Sequence, residues 1–188
     1  MGIIKSDSGA LFSDCRRWRY LLWRRWDKAG AVANFLMLNP STADEARLDP
    51  TCARARAYAE AWGYGALIVT NIFGWRSTDP QALKRVRDPV GAGNDAAILR
   101  AAKEADLVVC AWGNHGLDRS RQVRELLGGI QLHVLKITGA GEPGHPLYLR
   151  KSLKAAPWRE MPAARASPSQ RRRRRRRICA DGEASLNS

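Results

Sequence analysis

The sequence lacks any apolar stretch long enough to cross a membrane. A membrane helix needs about 20 consecutive apolar residues, and the longest runs here, around Phe35 and Leu107, end within about eight. Acidic and polar residues also interrupt the N-terminal segment, which therefore lacks the apolar core of a secretory signal. We expect a cytoplasmic protein that has no membrane partner.

Cysteine pairs and nucleotide-binding motifs are lacking as well. Cys15, Cys52, Cys110 and Cys179 are scattered without the spacing of a zinc site or a disulfide framework. No G-x-G-x-x-G motif follows a strand and opens a helix, and no phosphate-loop lysine motif is present. The sequence therefore predicts no metal and no cofactor, and it disfavours an ATPase.

Positive charge, by contrast, is in excess. The 188 residues carry a formal net charge of +14. Residues 159–188 hold nine arginines, seven of them consecutive, against three acidic residues, and show no apolar periodicity. We predict a single α/β domain over residues 1–158, itself basic, and a disordered Arg-rich tail over residues 159–188. This tail either binds polyanions non-specifically or is a low-complexity extension without a role.

Strand signals recur through the first 158 residues as short, continuously apolar, β-branched runs. Residues 18–26 alternate imperfectly and predict an edge or surface strand, whereas residues 31–38 predict a central one. Further strands are predicted at residues 66–73, 106–112 and 132–137. Continuously apolar runs of this kind are typical of strands covered on both faces.

Helix starts are marked between these strands. Asp49 and Asp79 each precede a proline, which places an acid at the N-cap and the proline at the first helical position. Asn94 or Asp95, and later Asp118, predict two further helix starts. The alternation of strands and helices predicts an α/β fold, specifically a three-layer α/β/α sandwich with a mainly parallel central sheet.

Polar and aromatic residues follow the predicted strands, where ligands of such sheets bind. The loops after Leu38, Asn71, Trp112 and Ile137 are expected on one rim. Asn39 and His145 are the predicted central pair. The other predicted ligand-binding residues are Pro40, Ser41, Thr42, Asp44, Asn71, Trp75, Trp112, Gly113, Pro146 and Tyr148.

Each residue type at this rim also has a structural interpretation. A turn closed by a side-chain hydrogen bond is one explanation of Asn39 followed by proline, and it needs no ligand. Helix capping alone would likewise explain Asp49. Trp75 and Trp112 can stack on a base or can seal the core at the end of a strand. The residues alone leave these alternatives open.

Several motifs together resemble a known bacterial family, the domain of unknown function 1643. The motifs are FLMLNPSTADEARLDPT, NIFGWRSTDPQAL, DPVGAGNDAAI, WG at Trp112-Gly113, and GHPLYLRKSLKAAPW. The resemblance runs from about Arg19 to Trp158, nearly the whole predicted domain. The family has no established activity, so the resemblance implies no reaction.

A second resemblance is to the uracil-DNA glycosylase superfamily. MLNPS at Asn39-Pro40 and GHPLYL at His145-Pro146 are similar to its two site motifs, and that superfamily has a three-layer α/β fold. The resemblance implies that Asn39 orients a water and that His145 donates to the departing base. Leu147-Tyr148 departs from the serine-containing sequence that wedges the duplex in those enzymes.

Three hypotheses about function follow. The first is an N-glycosylase-like hydrolase that acts on a nucleobase or nucleotide, with Asn39 and His145 at its centre. The second is a non-catalytic module that binds nucleic acid or a nucleotide through the same rim and the basic surface. The third is an unrelated small-molecule enzyme that uses Asp44 and Asp49 as acid and base.

Overall fold

Seven strands form one sheet in the computed structural model, which describes residues 2–158. The predicted disordered tail, residues 159–188, lies outside the described residues. The order across the sheet is β1-β2-β4-β3-β5-β6-β7. The strands are β1 (Ser8–Phe12), β2 (Arg19–Arg25), β3 (Val32–Met37), β4 (Ala66–Asn71), β5 (Leu107–Cys110), β6 (Leu132–Val134) and β7 (Ala156–Pro157).

The helices lie between the strands of the central part of the sheet. Helix α1 (Pro50–Ala61) joins β3 to β4, α2 (Asn94–Glu104) precedes β5, and α3 (Leu117–Leu126) precedes β6. Three short 3-10 helices, at Pro80–Arg85, Gly113–His115 and Pro146–Tyr148, lie in the connecting loops. The α/β class predicted from the sequence is confirmed. No helix within residues 2–158 combines the length and apolar character that a membrane crossing requires.

The sheet is mixed, so the predicted mainly parallel sheet is wrong. The β4-β3, β3-β5 and β5-β6 pairs are parallel, but the β1-β2, β2-β4 and β6-β7 pairs are antiparallel. The chain between β1 and β2 is too short for a crossover, and it therefore turns back as a hairpin. Strand β2, predicted at an edge or the surface, lies inside the sheet instead, and Leu22 is fully buried.

Alternate side chains of β3 enter different parts of the core, because successive strand residues point to opposite faces. Phe35 stacks on Tyr58 of α1, with ring centroids 6.3 Å apart and planes at 19°. Leu36 belongs instead to the cluster that contains Ile98 of α2 and Val123 of α3. The predicted central position of this strand is confirmed, since β3 lies between β4 and β5.

The two predicted Asp-Pro caps are confirmed. The carboxylate of Asp49 accepts a hydrogen bond from Cys52 N at 2.8 Å, and Pro50 is the first residue of α1. Asp79 accepts from Gln81 N at 2.8 Å, although the helix that it caps is a 3-10 helix.

The predicted caps of α2 and α3 are wrong. Their N-caps are Gly93 and Gly116, without a side-chain hydrogen bond. Asn94 is buried, and its amide donates to the carbonyl oxygens of Asn71 and Ile72 at 2.9 and 3.2 Å. The Asn94 side chain therefore donates to the end of β4 instead of accepting from the first turn of α2, which is what the local pattern predicted.

We expect Asp49→Ala to lower the free energy of unfolding by about 1 kcal/mol, because the first turn of α1 loses its side-chain acceptor. Urea denaturation of the full-length chain measures the change. The control is Asp49→Asn, which keeps an oxygen at the cap and should unfold close to wild type. An equal loss in both variants would contradict the capping role.

Candidate functional site

The carboxyl ends of the four parallel strands open onto one cavity of about 650 Å³. Its wall includes residues from the loops after β3, β4, β5 and β6. Strand β3 leads to α1, whereas the neighbouring β5 leads to α3, which packs with the other set of core side chains. Ligands of open α/β sheets bind where neighbouring connections diverge in this way.

Asn39 directly follows the end of β3 and lines the cavity. Its side-chain nitrogen donates to the carbonyl oxygens of Pro40 and Ser77 at 3.1 and 2.8 Å. Both partners are acceptors, so the NH₂ end of the amide must face them. The amide oxygen is then the end that can accept a hydrogen bond from a water or a ligand.

A buried arginine fixes the loop that carries Asn39. Arg19, at the start of β2, is 1% exposed and lines the cavity. It donates to Ala43 O at 2.8 Å and to Asn71 Oδ1 at 3.2 Å, while its Nε has no hydrogen-bond partner. Arg24, also on β2, donates to Asp44 O at 2.6 Å. Two arginines of one strand therefore hold the loop after β3.

His145 lies on the opposite loop, just before the 3-10 helix Pro146–Tyr148, and lines the cavity. Burial lowers the pKa of His145, and the charge of Asp49 partly opposes this by raising it. The imidazole is therefore neutral at pH 7, with one nitrogen that donates and one that accepts. Its buried Nδ1 has no partner. The loop is tied to the segment after β5, because Gly113 N donates to Pro143 O at 2.7 Å.

Asp49 and Cys52 also line the cavity, besides their part in the start of α1. Asp49 is buried, and its charge acts on both Arg19 and His145. Burial raises the pKa of Cys52 to about 12, so the thiol stays protonated at neutral pH. A protonated thiol is a poor nucleophile. Asp49 is thus the acidic side chain of this wall, and Cys52 is an inert part of it.

Seven of the twelve predicted site residues line the cavity. These are Asn39, Ser41, Asn71, Trp112, Gly113, His145 and Tyr148. The structure does not bring Pro40, Thr42, Asp44, Trp75 and Pro146 into its wall.

The residues outside the wall have other contacts. Trp75 packs edge to face on Trp18, with centroids 5.0 Å apart. The carboxylate of Asp44 accepts from the backbone N–H groups of Ala46 and Arg47, and these bonds lower its pKa. Neither side chain is directed to the cavity by these contacts, so base stacking by Trp75 and acid–base work by Asp44 have no support from the geometry.

The two aromatic side chains of the wall differ in exposure. Trp112 is fully buried, and its indole N–H donates to Glu142 Oε2 at 2.6 Å. Tyr148 is 82% exposed, and its ring centroid lies 5.4 Å from that of His145. Trp112 therefore seals the core behind the cavity, which was one of its two predicted roles, and the accessible ring is Tyr148.

Several polar wall residues were not among the predicted site residues, although one of the three hypotheses had named Asp49. They are Arg19, Asp49, Thr51, Cys52, Ser77, Thr78, Asn114, His115, Lys136 and Thr138. Asn114, His115, Lys136 and Thr138 follow a strand end by a few residues, which is the signal that could have found them. Arg19 is different, because it begins a strand, and only the antiparallel pairing of β2 places it at this edge. Within residues 2–158 no group of three or more His, Cys, Asp or Glu side chains is placed to hold a metal ion.

The fold and site together define a mixed α/β protein with a cavity at the carboxyl ends of its parallel strands. A family model described as protein of unknown function (DUF1643) matches residues 19–147, and the chain belongs to this family. The resemblance to this family that was inferred from the motifs is thereby confirmed. No curated protein and no solved structure matches the chain.

We expect the pKa of His145 to lie below the ordinary value of about 6.5, since burial disfavours the imidazolium. NMR titration of the histidine Cε1–H resonances measures it, and His145→Gln identifies the signal. Asp49→Asn should lower the pKa further, because the neighbouring negative charge is removed. A pKa that rises in Asp49→Asn would contradict this electrostatic coupling.

Proposed function

We propose that the cavity hydrolyses the N-glycosidic bond of a nucleobase unit, with Asn39 and His145 as its central residues. The observation that carries this proposal is that one cavity wall contains both residues, each with a polar atom left without a hydrogen-bond partner among residues 2–158. The Asn39 amide has its N–H groups bound to carbonyl oxygens, and His145 has an unpartnered ring nitrogen. A three-layer α/β/α arrangement is part of the same proposal, and α1 packing with one core cluster and α2 and α3 with another supports it.

In the proposed reaction a C–O bond forms and a C–N bond breaks. A water held by the oxygen of Asn39 attacks the anomeric carbon of the sugar. The glycosidic electron pair leaves with the base, and negative charge develops on the base oxygen. His145 is neutral and can donate a hydrogen bond to that oxygen. An amide only orients the water, so we assign the acceptance of the water proton to the Asp49 carboxylate in the same wall.

We assign Tyr148, at the mouth of the cavity, the role of holding the nucleobase. Its exposed ring beside His145 offers a surface on which a nucleobase can stack. Stacking was one of the two alternatives for Trp75 and Trp112, but Trp75 lies outside the wall and Trp112 is buried. A base stacked on Tyr148 would lie against the group proposed to donate to it.

The proposal is tested with the full-length protein and oligonucleotides that contain uracil, hypoxanthine or a mismatch. Abasic sites, revealed by strand scission in mild alkali, report base release. We expect Asn39→Ala and His145→Ala each to slow release by about 10²- to 10³-fold. Removal of His145 removes a donor to the developing charge, and removal of the Asn39 amide leaves the attacking water without its orienting oxygen. Circular dichroism checks that both variants are folded.

The matched control is His115→Ala. His115 is a second histidine of the same wall, but it is exposed. Its removal should leave base release close to wild type. Absence of abasic product from every substrate at high enzyme concentration would contradict the proposed reaction. An equal loss in His115→Ala and His145→Ala would contradict the role assigned to His145.

A second candidate function is nucleotide binding without hydrolysis. The exposed Tyr148 ring and the exposed Lys136 at the same cavity favour it, since they suit a base and a phosphate respectively. Adding nucleoside monophosphates would then shift the His145 resonance, and no free base would form. An unchanged His145 resonance at saturating nucleotide would contradict this candidate.

A further inference from the structure

Three arginines lie over aromatic rings on a surface outside the cavity. Cζ of Arg16 is 4.0 Å and Cζ of Arg76 is 5.0 Å from the centroid of Phe12. Cζ of Arg17 is 5.6 Å from the ring of Trp18 and 5.9 Å from that of Trp75. We call this the arginine–aromatic surface, and its members are Phe12, Arg16, Arg17, Trp18, Trp75 and Arg76.

Backbone hydrogen bonds hold the two segments of this surface together. Arg76 N donates to Arg17 O at 3.0 Å, and Arg76 Nη1 donates to Arg16 O at 3.2 Å. Trp18 and Trp75 also form an isolated antiparallel bridge. The two backbone segments and the Arg76 guanidinium are therefore positioned before any ligand binds, which reduces the entropy lost on binding.

The acidic groups near this surface neutralise only part of its charge. Glu45 pairs with Arg16 at 2.9 Å, but both side chains are about half exposed, and such pairs are weak. The charge of Arg76 contributes to the lowered pKa of Asp44. Asp88 uses its carboxylate for the N–H groups of Val90 and Gly91.

Arg17 and Arg76 take part in none of the ion pairs formed within residues 2–158. Arg17 is the more exposed of the two, so its charge is the more available. Its neighbour is the exposed thiol of Cys15, whose pKa is lowered to about 7 by Ser13 and Arg17. A guanidinium stacked on a ring keeps its outer N–H edge free for a phosphate.

The surface continues to the mouth of the cavity. Ser77 directly follows Arg76, lines the cavity and holds the Asn39 amide through its carbonyl oxygen. A chain of nucleotides bound across the arginines would therefore pass the cavity entrance.

We propose that the arginine–aromatic surface binds single-stranded nucleic acid. Its guanidinium groups suit the phosphates, and its ring edges suit unpaired bases, every one of which presents a π face. A duplex keeps its bases stacked inside and could use only the arginines. Binding of this kind goes beyond the proposed reaction, because it requires no catalysis.

Alkylation of the Cys15 thiol reports binding at this surface specifically. It therefore distinguishes such binding from contacts that residues 159–188 make with the oligonucleotide. The full-length protein is alkylated with iodoacetamide, with and without an oligothymidylate of about 12 nucleotides, a length that single-strand grooves cover. Peptide mass spectrometry follows each cysteine separately. We expect the oligonucleotide to slow alkylation of Cys15 several-fold, while the buried Cys52 and Cys110 serve as references.

The variant that tests the surface is Arg16→Ala combined with Arg17→Ala. Loss of two phosphate contacts should make the negative slope of log affinity against log salt shallower by about 1.4 for a single strand. The same change should abolish protection of Cys15. Protection is compared with and without oligonucleotide within each variant, since Arg17 also affects the Cys15 pKa. Arg121→Ala, an exposed arginine on α3, is the matched control and should keep both properties.

The outcomes separate this proposal from the proposed reaction. Equal Cys15 alkylation with and without saturating oligonucleotide overturns the binding surface, as does wild-type protection in the double variant. Protection without base release from any substrate keeps the surface and removes the reaction. Base release without protection removes the surface alone.

Discussion

The buried guanidinium of Arg19 is the group on which the geometry of the cavity depends. Burial of a charge costs several kcal/mol unless hydrogen bonds and opposite charge replace the lost water. Here the oxygens of Ala43 and Asn71 and the nearby charge of Asp49 do so. One cation thereby connects the loop after β3, the end of β4 and the start of α1, all of which contribute to the cavity wall.

The antiparallel direction of β2 brings that cation to the correct edge of the sheet. Leu22 lies opposite Val69, so the beginning of β2 is beside the end of β4. A parallel β2 would place Arg19 at the opposite edge and bring Arg25 to the cavity instead. The mixed character of the sheet is therefore part of how the cavity is built. Burial accordingly lowers the pKa of Arg19, as expected for a cation removed from water.

How far the sequence predicts the structure depends on the range of each interaction. The central strand and the Asp49 cap were predictable, because their signals are contained within a few residues. Asn94 was mispredicted, because its amide bonds to carbonyl oxygens at the end of β4 rather than to the helix that it begins. Trp75 follows a predicted strand end, but its ring partner Trp18 comes from a distant segment. The position of Arg19 required knowledge of strand direction, which local patterns do not contain.

Asp49 has two duties, since one carboxylate both starts α1 and supplies negative charge to the cavity wall. A substitution that changes the cap therefore also changes the charge of the wall, so stability and the electrostatics of the cavity cannot evolve independently at this position. An asparagine would satisfy the helix and remove the charge, whereas glutamate would keep the charge on a longer side chain that suits the cap less well. Aspartate at this position thus meets two requirements with the same carboxylate, because it caps α1 and it places negative charge in the cavity wall.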